Sequence, residues 1–228
     1  MEKFKYLCEK INWRPKNKKS CEYNKYILGI TSLWLIIPFI YGILHIIEKK
    51  ISNIIFILLT LWIGLCCIIS TLLGINKLGS IIHIIDIKCA EILFIILCVY
   101  FGLDIGNKID IKMKIIFPLL VVLFYVSSVF FYNKKYNNLS TLSHLTFRFI
   151  GFWWCFFAVY SNIIDWETIL ILSIAYYIHI LIEIQYINKL YKFKSNQQYI
   201  IGCSKTFSFI LLCLLFHILH INYLKIIQ

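Results

Sequence analysis

Seven long apolar runs, at residues 26–47, 51–73, 81–103, 115–132, 141–163, 168–186 and 206–226, leave this chain few ways to fold. Each has about the 20 residues that a helix needs to cross a hydrocarbon core about 30 Å thick. Many are rich in isoleucine, which in water favours strands. In lipid every backbone polar group must be satisfied within its own segment, so the runs are expected to be helices. A transmembrane β-barrel would need apolar and polar residues to alternate over about ten positions. Residues 51–65 show no such alternation. The expected fold is all-α: a polytopic bundle of seven transmembrane helices over residues 26–228, preceded by a basic cytoplasmic tail at 1–25.

Composition fits this reading. Apolar residues make up 61% of the 228 positions and charged ones 15%, against about 25% charged in an ordinary globular domain. A soluble enzyme, a disordered tail and a nucleic-acid-binding domain are thereby excluded. The net charge of +12 has another explanation, because most basic residues lie between the apolar runs. Of the Lys and Arg residues, fifteen fall on the side of the amino-terminal tail and six on the other. The bias predicts a cytoplasmic amino terminus and an extracytoplasmic or lumenal carboxyl terminus. The tail is too long and too charged for the front of a cleaved signal peptide, so the first run reads as a retained anchor. The links between runs are too short to house a domain, and no internal repeat is visible.

Cysteines Cys66, Cys67, Cys89, Cys98, Cys155 and Cys213 fall in the runs, and Cys8, Cys21 and Cys203 on the reducing side. No structural disulfide is expected from this distribution.

Ionisable residues inside the runs are the functional candidates, since each is costly in hydrocarbon unless paired or hydrated. They are Asp86, Lys88 and Glu91 in run three, Arg148 in run five and Glu183 in run six, joined by His83, His144, His179, His217 and His220. A rise of 1.5 Å per residue puts Ser70, His144 and Glu183 about 5 Å from the inner boundary, and His83 about 3 Å. Asp86, Arg148 and His179 come at about 8–10 Å, and Glu91 at about 15 Å. These groups are far apart in sequence, yet antiparallel runs bring them to one inner layer. The expectation is a polar pocket open to the cytoplasm, walled by runs two, three, five and six, with a carboxylate within reach of Arg148. Three carboxylates face two fixed cations there, so one acid is left to a proton, a charged histidine or a bound cation. Simpler readings stand beside each feature. Lys88 and Glu91, spaced i, i+3, can bridge each other on a face away from Asp86. Arg148 can pin helices together. His179 and Glu183, spaced i, i+4, have metal-ligand spacing but also suit an ordinary hydrogen-bonded pair. His217 and His220 share a face about 17 and 21 Å along run seven, beyond reach of the inner cluster.

The stretch Ser70-Thr71-Leu72-Leu73-Gly74, followed by His83-Ile84-Ile85-Asp86, resembles the CREST superfamily of seven-span proteins. These include haemolysin III-like, progestin/adiponectin receptor-like and alkaline ceramidase-like members. The resemblance implies a zinc ion held by histidines, with an Asp and a Ser assisting a zinc-bound water in attack on a lipid amide. On this chain it makes Ser70 and Asp86 the catalytic candidates and His83, His217 and His220 the metal-ligand candidates. Gly74 stands where the family places its second-span histidine, and His217 and His220 are three residues apart where the family has four.

Three functional readings follow. The leading one is a cytosol-facing pocket for a lipid head group or small cation, with Arg148, Glu183, His144, His179 and Glu91 as ligand-binding residues. The second is a zinc-dependent lipid amide hydrolase. The third is a non-catalytic membrane assembly partner. Membrane lipid is the expected partner in all of them, and nucleic acid in none.

Overall fold

The computed structural model describes residues 28–49, 53–75, 81–103, 111–134, 137–159, 171–181 and 196–227, together with Tyr26. Among these residues there are helices and no strand. Helix α1 is described from Leu28, tightens to a 3-10 turn at Leu33–Leu35 and continues as regular α-helix over Ile36–Lys49. Then come α2 (Ile54–Leu73), α3 (Ile81–Gly102), α4 (Ile111–Asn133), α5 (Asn137–Val159), α6 (Ile171–Leu181) and α7 (Asn196–Ile227). The basic tail at 1–25 and Glu183 lie outside the described residues.

Among the described residues, four helical stretches are long and apolar enough to cross a membrane: Leu28–Glu48, Ile54–Leu73, Lys114–Phe131 and Leu139–Val159. Helix α3 has the length but carries Asp86, Lys88 and Glu91. The described apolar parts of α6 and α7 are shorter, Ile171–Leu181 and Tyr199–Leu215. These helices are compatible with an integral membrane location.

Local sequence explains several boundaries. The 3-10 turn of α1 ends three residues before Pro38, which has no N–H to offer the Trp34 carbonyl and crowds it sterically. Asn53 caps α2, its side chain accepting from Ile55 N at 3.0 Å and Phe56 N at 3.3 Å. Helix α7 begins ten residues before the apolar run at 206. Its first turns, Asn196-Gln197-Gln198-Tyr199-Ile200, hold no Gly or Pro to stop the helix, and Tyr199 is fully buried.

Helix α5 is the centre of the packing. One side, with Ile150, Trp154, Cys155 and Ala158, closes a core with Leu59 and Ile63 of α2 and Leu93 and Leu97 of α3. Its other side, with Phe152, Trp153 and Phe156, packs on Trp34 of α1, Tyr176 of α6 and Ile210 of α7. Helices α1 and α2 approach closely through glycine: a β-carbon at Gly64 would lie 2.7 Å from the Phe39 ring, and one at Gly42 2.6 Å from Thr60 Cγ2. Small residues at such contacts are how helices gain packing in lipid, where no hydrophobic drive separates them from solvent. Helix α4 is peripheral, with 11% of its apolar stretch buried against 56% for α5.

Candidate functional site

Antiparallel packing puts the starts of α1, α3, α5 and α7 at the same end as the finishes of α2, α4 and α6. Six of the seven helices exchange side-chain hydrogen bonds there, and α6 joins through His179. Ser70, near the end of α2, donates a short hydrogen bond to Asp86 Oδ1 in the second turn of α3, and both residues are buried. His83, one turn earlier, shares that buried face of α3. Tyr199 of α7 donates to the Thr71 carbonyl at 2.7 Å. Its ring lies against Gly29 of α1 and Gly74 of α2, where β-carbons would each come within 2.1 Å of the phenol. Tyr26 packs against the same ring at 5.3 Å between centroids.

Arg148, half-buried on α5, reaches α1. One Nη donates to the Leu28 carbonyl at 2.6 Å and to Ser32 Oγ. Ser32 Oγ itself donates to the same carbonyl at 2.7 Å, and Thr31 Oγ1 does so at 3.1 Å. Among the described residues no ion pair joins Arg148 to Asp86 or Glu91. The expectation of a carboxylate within reach of Arg148 extends to Glu183, which lies outside the described residues; within the described set Arg148 meets a carbonyl and a hydroxyl of α1.

His179 ties three helices together. The Trp34 indole, which can only donate, gives its N–H to Nδ1 at 3.3 Å. In the neutral ring the proton then sits on Nε2, facing Thr206 Oγ1 of α7 at 2.9 Å. Phe209 stacks on the imidazole with ring centroids 5.8 Å apart. Both ring nitrogens are thus engaged by α1 and α7. His144 lies in the α4–α5 clasp, with Nδ1 3.4 Å from Ser128 Oγ. Ser128 and Ser140 close that clasp by donating to each other's carbonyl at 3.2 and 2.9 Å.

Lys88 and Glu91 behave as the simple bridge. They pair at 2.5 Å, with side chains 58% and 51% exposed. Helical rotation explains why Glu91 does not join Asp86: five residues turn it about 140° around α3, onto the outer surface. The layer thus keeps Ser70, His83, Asp86, His144, Arg148 and His179, and leaves Glu91 outside. It gathers in Ser32, Trp34, Tyr199 and Thr206, from two helices not expected to wall it. Trp34 and Tyr199 are uncharged near neutral pH and so carried no signal as intramembrane candidates, and the Leu28 carbonyl is not written in the side-chain sequence at all. The backbone of α7 carries His217 and His220 deep along the helix, and their side chains lie outside the described residues.

The zinc chemistry implied by the resemblance needs three protein ligands and an open position for water. Among the described residues no group of three or more His, Cys, Asp and Glu converges as a metal site. At Gly74, where the family has a histidine, the Tyr199 ring fills the space that a side chain would take. The described residues therefore do not assemble a complete ligand set. The described cysteines are free thiols. No family model matches the chain, and no characterised protein or solved structure matches it.

Proposed function

We propose that the chain is a seven-span integral membrane protein with a cytoplasmic amino terminus, whose polar layer forms a cytosol-facing site for a lipid head group or small cation. The observation that carries this reading is the gathering of Asp86, Arg148 and His179, from three helices, at one end of an otherwise apolar bundle. Exposing groups of this kind to hydrocarbon costs several kcal/mol each, and membrane proteins turn them to the interior where ligands or ions are handled. Arg148 suits an anionic head group, because a guanidinium is a fixed positive charge whose planar fork of N–H donors matches carboxylate and phosphate oxygens. Asp86, with one neutral donor in Ser70, suits a cation or a proton.

Native mass spectrometry of the protein in nanodiscs of mixed anionic and zwitterionic lipid tests the reading. The wild type is expected to retain anionic lipid preferentially. Arg148→Met should lose that preference by about tenfold, roughly one charge-assisted contact, and Arg148→Lys should keep part of it. Equal retention by all three proteins, with no cation displaced from Asp86→Asn, would remove the proposal.

A second reading, the zinc-dependent lipid amide hydrolase, draws support from the Ser70–Asp86 hydrogen bond, which joins the two catalytic candidates across α2 and α3. Metal analysis of the purified protein separates the two. Stoichiometric zinc that is lost in Asp86→Ala or His217→Ala would favour the hydrolase, and metal-free wild type would favour the pocket.

A further inference from the structure

The indole of Trp34 constrains the protonation of His179. An indole N–H donates and never accepts, because its nitrogen lone pair belongs to the ring π-system. Trp34 Nε1 lies 3.3 Å from His179 Nδ1, and Thr206 Oγ1 lies 2.9 Å from Nε2. Only the neutral ring, with its proton on Nε2, satisfies both contacts. A second proton would sit on Nδ1 and face the indole N–H, donor against donor. All three side chains are buried, so water cannot relieve that conflict where they stand. From α1 the ring meets Trp34, and from α7 Thr206 and Phe209, none of which ionises; Lys205 and Cys203 flank Thr206 on α7. Helix α5 packs behind Trp34 through Phe152 and carries Arg148, a permanent cation bound at Ser32, two residues from Trp34. On α6 itself Tyr176 lies one turn away, and its phenol does not ionise in the histidine range. Glu183 follows one turn later on that helix, outside the described residues.

We propose that His179 is a proton-sensitive latch, which holds α1 against α6 and α7 while its ring is neutral and releases Trp34 when the ring is protonated. The sign follows from the donors. The open form takes up the proton, so the latch is firm at high pH and is lost as pH falls. Arg148 still ties the start of α1 to α5 at Leu28 and Ser32. The released stretch therefore begins just beyond Ser32, at the 3-10 turn Leu33–Leu35 that holds Trp34. A 3-10 turn within a helix, followed by a proline, is where a helix bends most readily. Latch and hinge thus share one turn of α1. The inference goes beyond the ligand site and stands on these bonds alone.

Full-length protein in lipid nanodiscs, labelled with nitrogen-15 on its tryptophan indoles, provides the test; the Trp34 resonance is the one missing from Trp34→Phe. Between about pH 8 and pH 4, a span that covers histidine titration, that resonance should shift along a single titration curve in the wild type. At the acid end its N–H should exchange with solvent about tenfold faster, as the loss of one hydrogen bond implies. His179→Gln can accept from Trp34 and donate to Thr206 without titrating, so it should hold the resonance fixed. Titration with a denaturing detergent separates the latch from mere burial of a histidine. The wild type should lose stability toward acid, and Trp34→Phe, which removes the opposing donor, should lose less. Wild type and Trp34→Phe decide the matter even where His179→Gln does not fold. A Trp34 resonance indifferent to pH, a folded His179→Gln that titrates like wild type, or a Trp34→Phe as acid-sensitive as wild type would each overturn the proposal.

Discussion

Tyr199 shows how much of the layer depends on single atoms. Its phenol fits between Gly29 and Gly74 and reaches the Thr71 carbonyl, so three helices meet on one ring. Gly74→Ala has no room there and should destabilise the protein by about 1–3 kcal/mol, as overpacked cores do; Tyr199→Phe removes only the hydrogen bond and should cost about 0.6–1.5 kcal/mol. Both are measured by titrating the refolded protein with a denaturing detergent, and the reverse ranking would contradict the packing. Ser70→Ala should cost more than an exposed serine, because it strips Asp86 of its donor and a buried acceptor left unmade costs about 1–3 kcal/mol. The Lys88–Glu91 bridge and the similar depth of Ser70 and Asp86 were legible in the sequence, since helical spacing gives the first and run boundaries the second. The partners of Arg148 were not. A backbone carbonyl is not spelled in the sequence, and Ser32 is an ordinary small residue until α1 is placed beside α5.

At the scale of elements, spans were easier to read than their ends. Helix α3 falls almost where its apolar run does, because Ile81 follows a polar link and Gly102 closes it. Helix α7 begins earlier, at Asn196, because hydropathy marks where the bilayer is needed and helix propensity marks where the backbone bonds begin. The polar first turns therefore bring Tyr199 to the layer, and Thr206 follows at the start of the apolar run. The α1–α2 contact is the element-scale constraint that most limits substitution. Gly64→Ala forces a β-carbon to 2.7 Å from Phe39 and should destabilise by about 1–3 kcal/mol. Adding Phe39→Leu should recover much of that loss, since contacting residues couple; strict additivity of the two substitutions in the same detergent titration would contradict a direct contact.

At the scale of the whole molecule, the buried ionisable groups among the described residues are segregated along the helix axes. One end holds Asp86, Arg148, His144 and His179 with their hydroxyl and carbonyl partners. The opposite end is closed by aromatic contacts such as His45 against Phe56 and Phe56 against Tyr100. Charge counting alone assigns the polar end to the cytoplasm, so the whole account turns on that orientation. Labelling of single added cysteines by a membrane-impermeant maleimide in right-side-out vesicles measures it. Asn53, exposed at the cap of α2, marks the far end, and Lys134, exposed just past α4, marks the polar end. The account predicts that Asn53→Cys is labelled from outside while Lys134→Cys reacts only after the vesicles are opened. Labelling of Lys134→Cys in sealed vesicles, with Asn53→Cys protected, would contradict it.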